Sequence, residues 1–176
     1  MIRLSSQPAS RGYHTTLMPD DSSKNVYYKR SRFSSKLPAE RLYSPSHFWM
    51  FEVEPGLWRV GFTKFATRML GDLVEHGFGV KMGESVTLGQ TIGWVEGFKA
   101  LTDIYSVVTG EFAGGNSDLQ QDITLADADP YGKGWLYAVR GHPDPNATDV
   151  HGYASMLDLT IDKMQEKLTA EPPDCA

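Results

Sequence analysis

Alternating apolar and polar positions in the first half of the chain predict short strands joined by tight turns. A strand is predicted from His47 to Val53, and the pair Pro55–Gly56 predicts a turn into a returning strand from Leu57 to Thr63. A short helix is predicted from Lys64 to Leu70, closed by Gly71. This half of the chain therefore has the pattern of an antiparallel β protein.

The second half continues the same rhythm of strands and glycine turns. Strands are predicted from Thr87 to Glu96 and from Ala100 to Val108, on either side of a tight turn at Gly97-Phe98-Lys99. The other predicted elements, in chain order, are a strand near Val80, a turn at Thr109–Gly110, a polar loop from Gly114 to Asp122 and a strand from Trp135 to Arg140. We expect a mainly β fold, an antiparallel sandwich or barrel.

The two ends of the chain differ from this β pattern. Near the C-terminus, apolar residues recur at three- and four-residue spacing and predict an amphipathic helix packed on the sheets: Tyr153, Met156, Leu157, Ile161, Met164 and Leu168. Residues 1–36 are polar and rich in Ser, Arg and Lys, yet Val26-Tyr27-Tyr28 and Phe33 provide apolar anchors. We expect residues 1–36 to form an arm packed on a domain of residues 37–176; a targeting peptide or an unstructured tail are the alternatives.

Charge is distributed unevenly along the 176 residues. The net charge is -5, but residues 1–41 hold eight Lys or Arg and three acids. Residues 42–176 hold nine Lys or Arg and nineteen acids. An acidic body repels nucleic acid, so a nucleic-acid partner is not expected. Such a surface is instead attracted to basic surfaces on protein partners.

Composition also limits the chemistry. The single cysteine, Cys175, allows no internal disulfide, which fits a reducing compartment such as the cytoplasm or, alternatively, the mitochondrial matrix. The five histidines are scattered, so no metal site is expected, and no 18-residue apolar stretch predicts a membrane span. No nucleophile–base pair, phosphate loop or carboxylate cluster is present, and we expect no catalytic residues and no enzyme activity.

The most informative segment is Glu96-Gly97-Phe98-Lys99-Ala100. It places a lysine at the tip of a predicted hairpin, where two strands hold the side chain away from the body of the domain. A modifying enzyme needs a protruding amine on a backbone of defined shape. Phe98 is unusual for a turn that is merely solvated. This segment therefore makes Lys99 a candidate for covalent modification.

A resemblance to a known family extends from about Leu37 to Leu168. The chain resembles the H-protein of the glycine cleavage system in five segments that keep the family order: Leu37 to Trp49 with its His-x-Trp, Gly61-Phe62-Thr63, Leu70 to Val74, Glu96 to Ala100, and Asp129 to Leu136. The resemblance implies a barrel-sandwich hybrid of the lipoyl-domain type. It also implies that Lys99 carries lipoate through an amide bond and that Glu96 helps the lipoate-attaching enzyme to recognise it. His47, Trp49 and Phe98 are candidates for contact with the folded-back arm, and packing in the core or in the turn is the simpler interpretation for Trp49 and Phe98.

The chain departs from the family pattern around the lysine. The usual attachment motif is Glu-Ser-Val/Met-Lys-Ala, and here Gly97 and Phe98 replace its second and third residues. These changes resemble H-protein-like lipoate-binding proteins of the bacterial heterodisulfide-reductase-like sulfur oxidation system. The resemblance therefore favours that sulfur-oxidising complex as the partner. The alternative is glycine cleavage, with glycine decarboxylase, aminomethyltransferase and dihydrolipoyl dehydrogenase as partners.

Two other classes of protein share parts of this pattern. A biotin carrier uses a similar hairpin, but its lysine usually lies between methionines, and here the neighbours are Phe98 and Ala100. A free-standing binding module that has lost its lipoyl site is the other alternative, and it predicts an unmodified Lys99.

Overall fold

The structure is a computed structural model, and it describes residues 24–170. The strands are β1 (Asn25–Arg30), β2 (Phe33–Pro38), β3 (Leu42–Tyr43), β4 (Phe48–Glu54), β5 (Leu57–Phe62), β6 (Leu73–Phe78), β7 (Ser85–Val86), β8 (Thr91–Gly97), β9 (Leu101–Tyr105), β10 (Val108–Gly115) and β11 (Tyr137–Pro143). The helices are α1 (Lys64–Leu70), α2 (Ser117–Gln121), α3 (Leu125–Ala128) and α4 (Val150–Ala170).

These strands form three antiparallel sheets. A six-stranded sheet has the order β3-β4-β5-β11-β10-β7, a three-stranded sheet has the order β6-β8-β9, and β1 and β2 form a separate hairpin. The larger two sheets share one core, in which Val60 and Val139 of the first lie in the same buried cluster as Val95 and Ile104 of the second. The fold is therefore mainly β and sandwich-like, with a C-terminal helix, as the sequence predicts.

A second core forms where α4 packs beside the β1–β2 hairpin and α1. Tyr153 and Leu157 of α4 are completely buried there, together with Leu37 of β2. Asp149 caps the helix, because its carboxylate accepts hydrogen bonds from the backbone N–H groups of residues 151 and 152. The predicted boundary after residue 36 falls within β2, and the part of the predicted arm before residue 24 lies outside the described residues, as does Cys175.

Several predicted boundaries were wrong for identifiable reasons. The strand expected near Val80 ends at Phe78, and it includes Gly77, because the indole of Trp94 covers that glycine from the neighbouring strand. Gly110 was expected to form a turn but lies within β10, where a Cβ would come within 2.0 Å of the Arg140 carbonyl oxygen. Only close backbone packing requires glycine at position 110, and the sequence does not show this packing.

Three other predicted segments are divided or shifted. β8 begins at Thr91 and not at Thr87, because the side-chain oxygen of Gln90 accepts the Thr87 N–H and holds a turn. The expected strand from 100 to 108 ends at Tyr105, since the chain bends there and the hydroxyl of Ser106 donates a hydrogen bond to the Val108 carbonyl. The expected polar loop from 114 to 122 contains α2, and α4 extends beyond the predicted helix at both ends.

Candidate functional site

The hairpin between β8 and β9 ends in a four-residue turn that carries Lys99. The N–H of Gly97 donates to the Ala100 carbonyl at 2.8 Å, and the N–H of Ala100 donates back to the Gly97 carbonyl at 3.3 Å. Gly97 is buried, whereas Phe98, Lys99 and Ala100 are exposed. The structure thus places Lys99 at the tip of the hairpin.

Backbone hydrogen bonds hold this tip against the segment that joins α1 to β6. The N–H of Phe98 donates to the Asp72 carbonyl at 2.8 Å, and the N–H of Lys99 donates to the Leu70 carbonyl at 2.9 Å. Gly97 lies so close to this segment that a Cβ on it would be 2.4 Å from the Leu70 carbonyl oxygen. The turn is therefore fixed on two sides, by its own sheet and by the end of α1.

The side chain of Lys99 leaves the turn across Gly71, the residue that ends α1. A Cβ at position 71 would lie 3.0 Å from Lys99 Cγ, and Gly71 has a φ of 76°. Within residues 24–170, Lys99 Nζ has neither an ion pair nor a hydrogen bond. The aliphatic stem is thus supported while the amine remains accessible.

The remaining residues of the predicted motif lie around this amine. Phe98 is 85% exposed and lies beside the lysine as an apolar side chain without cover. Glu96 is exposed on the outer surface of β8, directly opposite Leu101 of β9. The motif therefore presents one amine, one carboxylate and apolar side chains on the same turn.

The structure does not bring His47 to the turn. Its ring packs 4.7 Å from the Phe65 ring, and its Nδ1 lies 3.0 Å from the Tyr153 hydroxyl in the second core. Burial lowers the pKa of His47 below its ordinary value. Trp49 is also a core residue, 2% exposed, and its indole N–H donates to the Pro130 carbonyl. Neither side chain contacts Lys99.

A groove of about 570 Å³ lies beside α1, α4 and the turn between β1 and β2. Its lining does not include His47, Trp49 or Phe98, the residues that we expected to contact a folded-back arm. Most of its lining side chains are apolar or basic, among them Phe33, Phe65, Arg68, Met69, Ile161 and Leu168. The predicted arm contacts therefore do not belong to this groove.

Sequence reasoning missed the residues that support the lysine. Gly71 and the carbonyls of residues 70 and 72 fix the turn, although they precede it by twenty-five or more positions. The only signal in the sequence was the Leu-Gly-Asp run that ends the short helix. Within the part of the chain that the structure describes, no three His, Cys, Asp or Glu side chains are grouped to hold a metal ion. No helix in that part is long and apolar enough to cross a membrane.

Two antiparallel sheets around one core, with a fixed hairpin that bears a lysine, form the barrel-sandwich type of fold that lipoyl carrier domains have. Comparison with known families agrees: residues 41–159 match the model of the glycine cleavage H-protein. This match covers more than half of the chain, and the chain belongs to the glycine cleavage H-protein family. Proteins of this family are carriers with lipoate attached to a lysine, and they are not enzymes themselves.

Individual relatives show the same similarity. The glycine cleavage system H protein of Streptomyces avermitilis is 38% identical over 108 residues, which cover 61% of this chain and 86% of that protein. The glycine cleavage system H protein of Mycolicibacterium vanbaalenii is 36% identical over 124 residues, which cover 70% of this chain and 92% of that protein. The crystal structure of the H protein from Mycobacterium marinum superposes with a TM-score of 0.63 at 31% identity, and the match covers 69% of this chain and 98% of that one.

The family match leaves some elements of this chain outside it. The β1–β2 hairpin precedes residue 41, and the last eleven residues of α4 follow residue 159. The hairpin packs against α4 through Tyr28 and Arg30 on one side and Asp158 and Asp162 on the other. Asp158 lies within the matched residues, whereas Asp162 lies beyond them.

Proposed function

We propose that Lys99 is the lipoylated residue of an H protein that carries the aminomethyl group of glycine between the enzymes of glycine cleavage. The observation that carries this proposal is the exposed, unpaired Lys99 amine on a turn fixed from two sides, in a chain of this family. The residues present fit the cofactor, because an amide to lipoate requires an accessible primary amine with no competing ion pair.

The protein in this proposal binds and positions, and the attached group supplies the chemistry. When bound, lipoate would supply a ring disulfide that takes the load on one sulfur while the other becomes a thiol, and dihydrolipoyl dehydrogenase would oxidise the dithiol left after transfer back to the ring. Leu70 and Asp72 hold the turn through their carbonyls, so that the stem of Lys99 starts from a defined position. The lysine side chain and lipoyl chain together span about ten bonds and reach on the order of a dozen Å.

The partners follow from the proposed pathway. They are a lipoate-attaching enzyme, glycine decarboxylase, aminomethyltransferase and dihydrolipoyl dehydrogenase. The net charge of -5 favours association with basic rims around their active sites. We place the carrier in the cytoplasm, since the relatives compared above are bacterial and the single cysteine excludes an internal disulfide.

A carrier for heterodisulfide-reductase-like sulfur oxidation is the second candidate. It is favoured by the replacement of the family's Ser and small aliphatic residue by Gly97 and Phe98 beside the lysine. The comparisons give this narrower expectation no support, because the relatives reported above are H proteins of glycine cleavage. Glycine cleavage is therefore the pathway we favour.

Intact mass of the protein purified from its native host tests the attachment. We expect the mass of one added lipoyl group, lost in Lys99→Ala and retained in Lys81→Ala, which removes another exposed lysine from a loop. An unmodified wild-type protein, or a lipoyl group that persists in Lys99→Ala, would contradict the proposal.

Deletion of the gene in the host separates the two pathways. We expect loss of growth on glycine as nitrogen source and unchanged thiosulfate oxidation, both restored by the wild-type gene and not by Lys99→Ala. Loss of thiosulfate oxidation alone would identify the sulfur pathway instead.

A further inference from the structure

The outer face of the β6-β8-β9 sheet exposes large apolar side chains. Trp94 of β8 is 37% exposed, and Leu101 and Tyr105 of β9 are 71% and 37% exposed. All three point away from the core, since their neighbours along each strand, such as Val95 and Ile104, are completely buried. Exposed apolar patches of this kind are typical of interaction sites.

The same face carries carboxylates without cations. Glu75 of β6 lies directly opposite Glu96 of β8, and Asp103 of β9 lies opposite Trp94. The three strands contain no Lys or Arg, and within residues 24–170 these carboxylates form no ion pair. Like charges placed opposite each other destabilise a sheet, and no ion pair within residues 24–170 offsets the repulsion between Glu75 and Glu96.

Neighbouring groups do not neutralise this charge. His76, next to Glu75, is half-buried, and burial lowers its pKa, so the imidazole is not a permanent cation. The Tyr105 hydroxyl donates only a long hydrogen bond of 3.5 Å to Asp103. Some acidic residues elsewhere are paired, as Asp127 is with Lys64 at 2.8 Å. What distinguishes this face is that opposed carboxylates lie on three strands that contain no Lys or Arg.

Trp94 is held in place on this face. Its indole lies over Gly77 of the adjacent strand, with Nε1 2.9 Å from the position that a Cβ of Gly77 would take. Within the described part of the chain, the indole N–H has no acceptor. A rigid aromatic ring with a free N–H donor is a good anchor for a protein partner, because it loses little conformational entropy on binding.

We propose that this open face, formed by Glu75, Trp94, Glu96, Leu101, Asp103 and Tyr105, is the docking surface for the enzyme that attaches lipoate to Lys99. The complementary surface of that enzyme presents Lys and Arg side chains around an apolar recess for Trp94 and Leu101. Lys99 lies at the end of the same hairpin, so an enzyme that binds the Lys99 amine in its active site also contacts this face. This inference rests on the proposed function of Lys99.

The test measures the rate at which the purified lipoate-attaching enzyme of the host modifies the unlipoylated full-length carrier, followed by intact mass. We expect kcat/KM to fall about tenfold in Leu101→Ser and in Trp94→Ser, mainly through KM. Trp94→Phe keeps an aromatic ring over Gly77, and we expect its kcat/KM to fall less than that of Trp94→Ser. Melting temperatures show that each variant is folded.

Matched substitutions on α4 provide the controls. Leu159→Ser changes a leucine that is 64% exposed, and Glu166→Gln changes an exposed acid, both away from the hairpin. We expect these two variants to react at the wild-type rate. Glu75→Gln combined with Asp103→Asn is expected to slow the reaction at low salt and to weaken its dependence on ionic strength.

The outcomes separate this inference from the proposed function. Wild-type rates in every open-face variant, with Lys99 still modified, would overturn the docking surface and leave the carrier function intact. Equal losses in the α4 controls would also overturn it. A wild-type protein that is not modified at Lys99 would overturn the proposed function.

Discussion

The side of the molecule beside the second core and the open face differ in how their charged side chains are paired. Beside the second core, Arg30 lies between Asp158 and Asp162, and the Tyr28 hydroxyl donates to Asp158, so charges of β1 are matched by charges of α4. On the open face, Glu75 and Glu96 oppose each other with no cation between them. The first side satisfies its own groups, as a structural interface does, whereas the second leaves them for a partner.

The second core and the lysine-bearing hairpin also differ in the burial of individual apolar side chains. Tyr153 and Leu157 of α4 are completely buried in the second core, but Phe98 and Leu101 beside the modified turn are 85% and 71% exposed. Burial of a side chain of this size contributes about 1.5 to 3 kcal/mol to folding. Phe98 and Leu101 do not contribute this stabilisation, but neither does Leu159 of α4, which is 64% exposed. The absence of cations beside opposed carboxylates, and not apolar exposure alone, therefore distinguishes the open face.

The largest expected effect is that of Lys99→Arg. Because arginine keeps the charge but offers no primary amine, we expect complete loss of lipoylation. The free energy of unfolding should stay within about 0.5 kcal/mol of wild type, since the side chain is exposed and unpaired. Intact mass and urea unfolding measure the two quantities. A marked loss of stability would show that Lys99 has a structural role.

Gly71→Ala tests the support beneath the lysine. Gly71 has a φ of 76° and a ψ of -165°, a backbone conformation that costs a residue with Cβ about 1 to 3 kcal/mol, and here the new Cβ also displaces the Lys99 stem. We expect lower stability together with slower lipoylation. Gly56→Ala is the matched control, because Gly56 has a φ of 77° and nothing within 4 Å of its Cβ position. Equal lipoylation rates in both variants would contradict support by Gly71.

Tyr153→Phe tests the opposite side. The hydroxyl of Tyr153 lies 3.0 Å from His47 Nδ1 and 2.8 Å from Thr63 Oγ1, in a buried network. Its removal leaves buried polar groups without a partner, and we expect a loss of about 1 to 3 kcal/mol of stability by urea unfolding. Lipoylation should be unchanged. Tyr27→Phe, at a tyrosine that is 65% exposed, should leave stability unaltered.

The smallest expected changes are in the free energy of unfolding, and we expect them to have opposite signs on the two sides of the molecule. Asp162→Asn removes a partner of Arg30, and since both side chains are about 41% exposed, we expect a loss below about 1 kcal/mol. Glu75→Gln removes repulsion with Glu96, and we expect a gain of about 0.2 to 1 kcal/mol. Urea unfolding at low salt measures both changes in the free energy of unfolding. If both variants were stabilised, or both destabilised, the proposed difference between the two sides would be contradicted.

The sequence predicted the fold class, the short helix before Gly71 and the C-terminal helix, because each depends on local patterns. It did not predict the strand that includes Gly77 or the one that includes Gly110, since those glycines are required by a neighbouring indole and a neighbouring carbonyl. It also singled out His47 as an arm contact. The structure places that ring against Phe65 and Tyr153 in the second core.

By itself, the sequence determined the family, the alternation of strands and turns, and the position of one lysine in a recognisable motif, because these are carried by residues close together in the chain. Only the tertiary structure decided that α1 ends beneath Lys99 and holds its turn. It alone placed Glu75 opposite Glu96 and Trp94 over Gly77. Such contacts join residues seventeen or more positions apart. Strand register, which no local pattern encodes fully, brings them together.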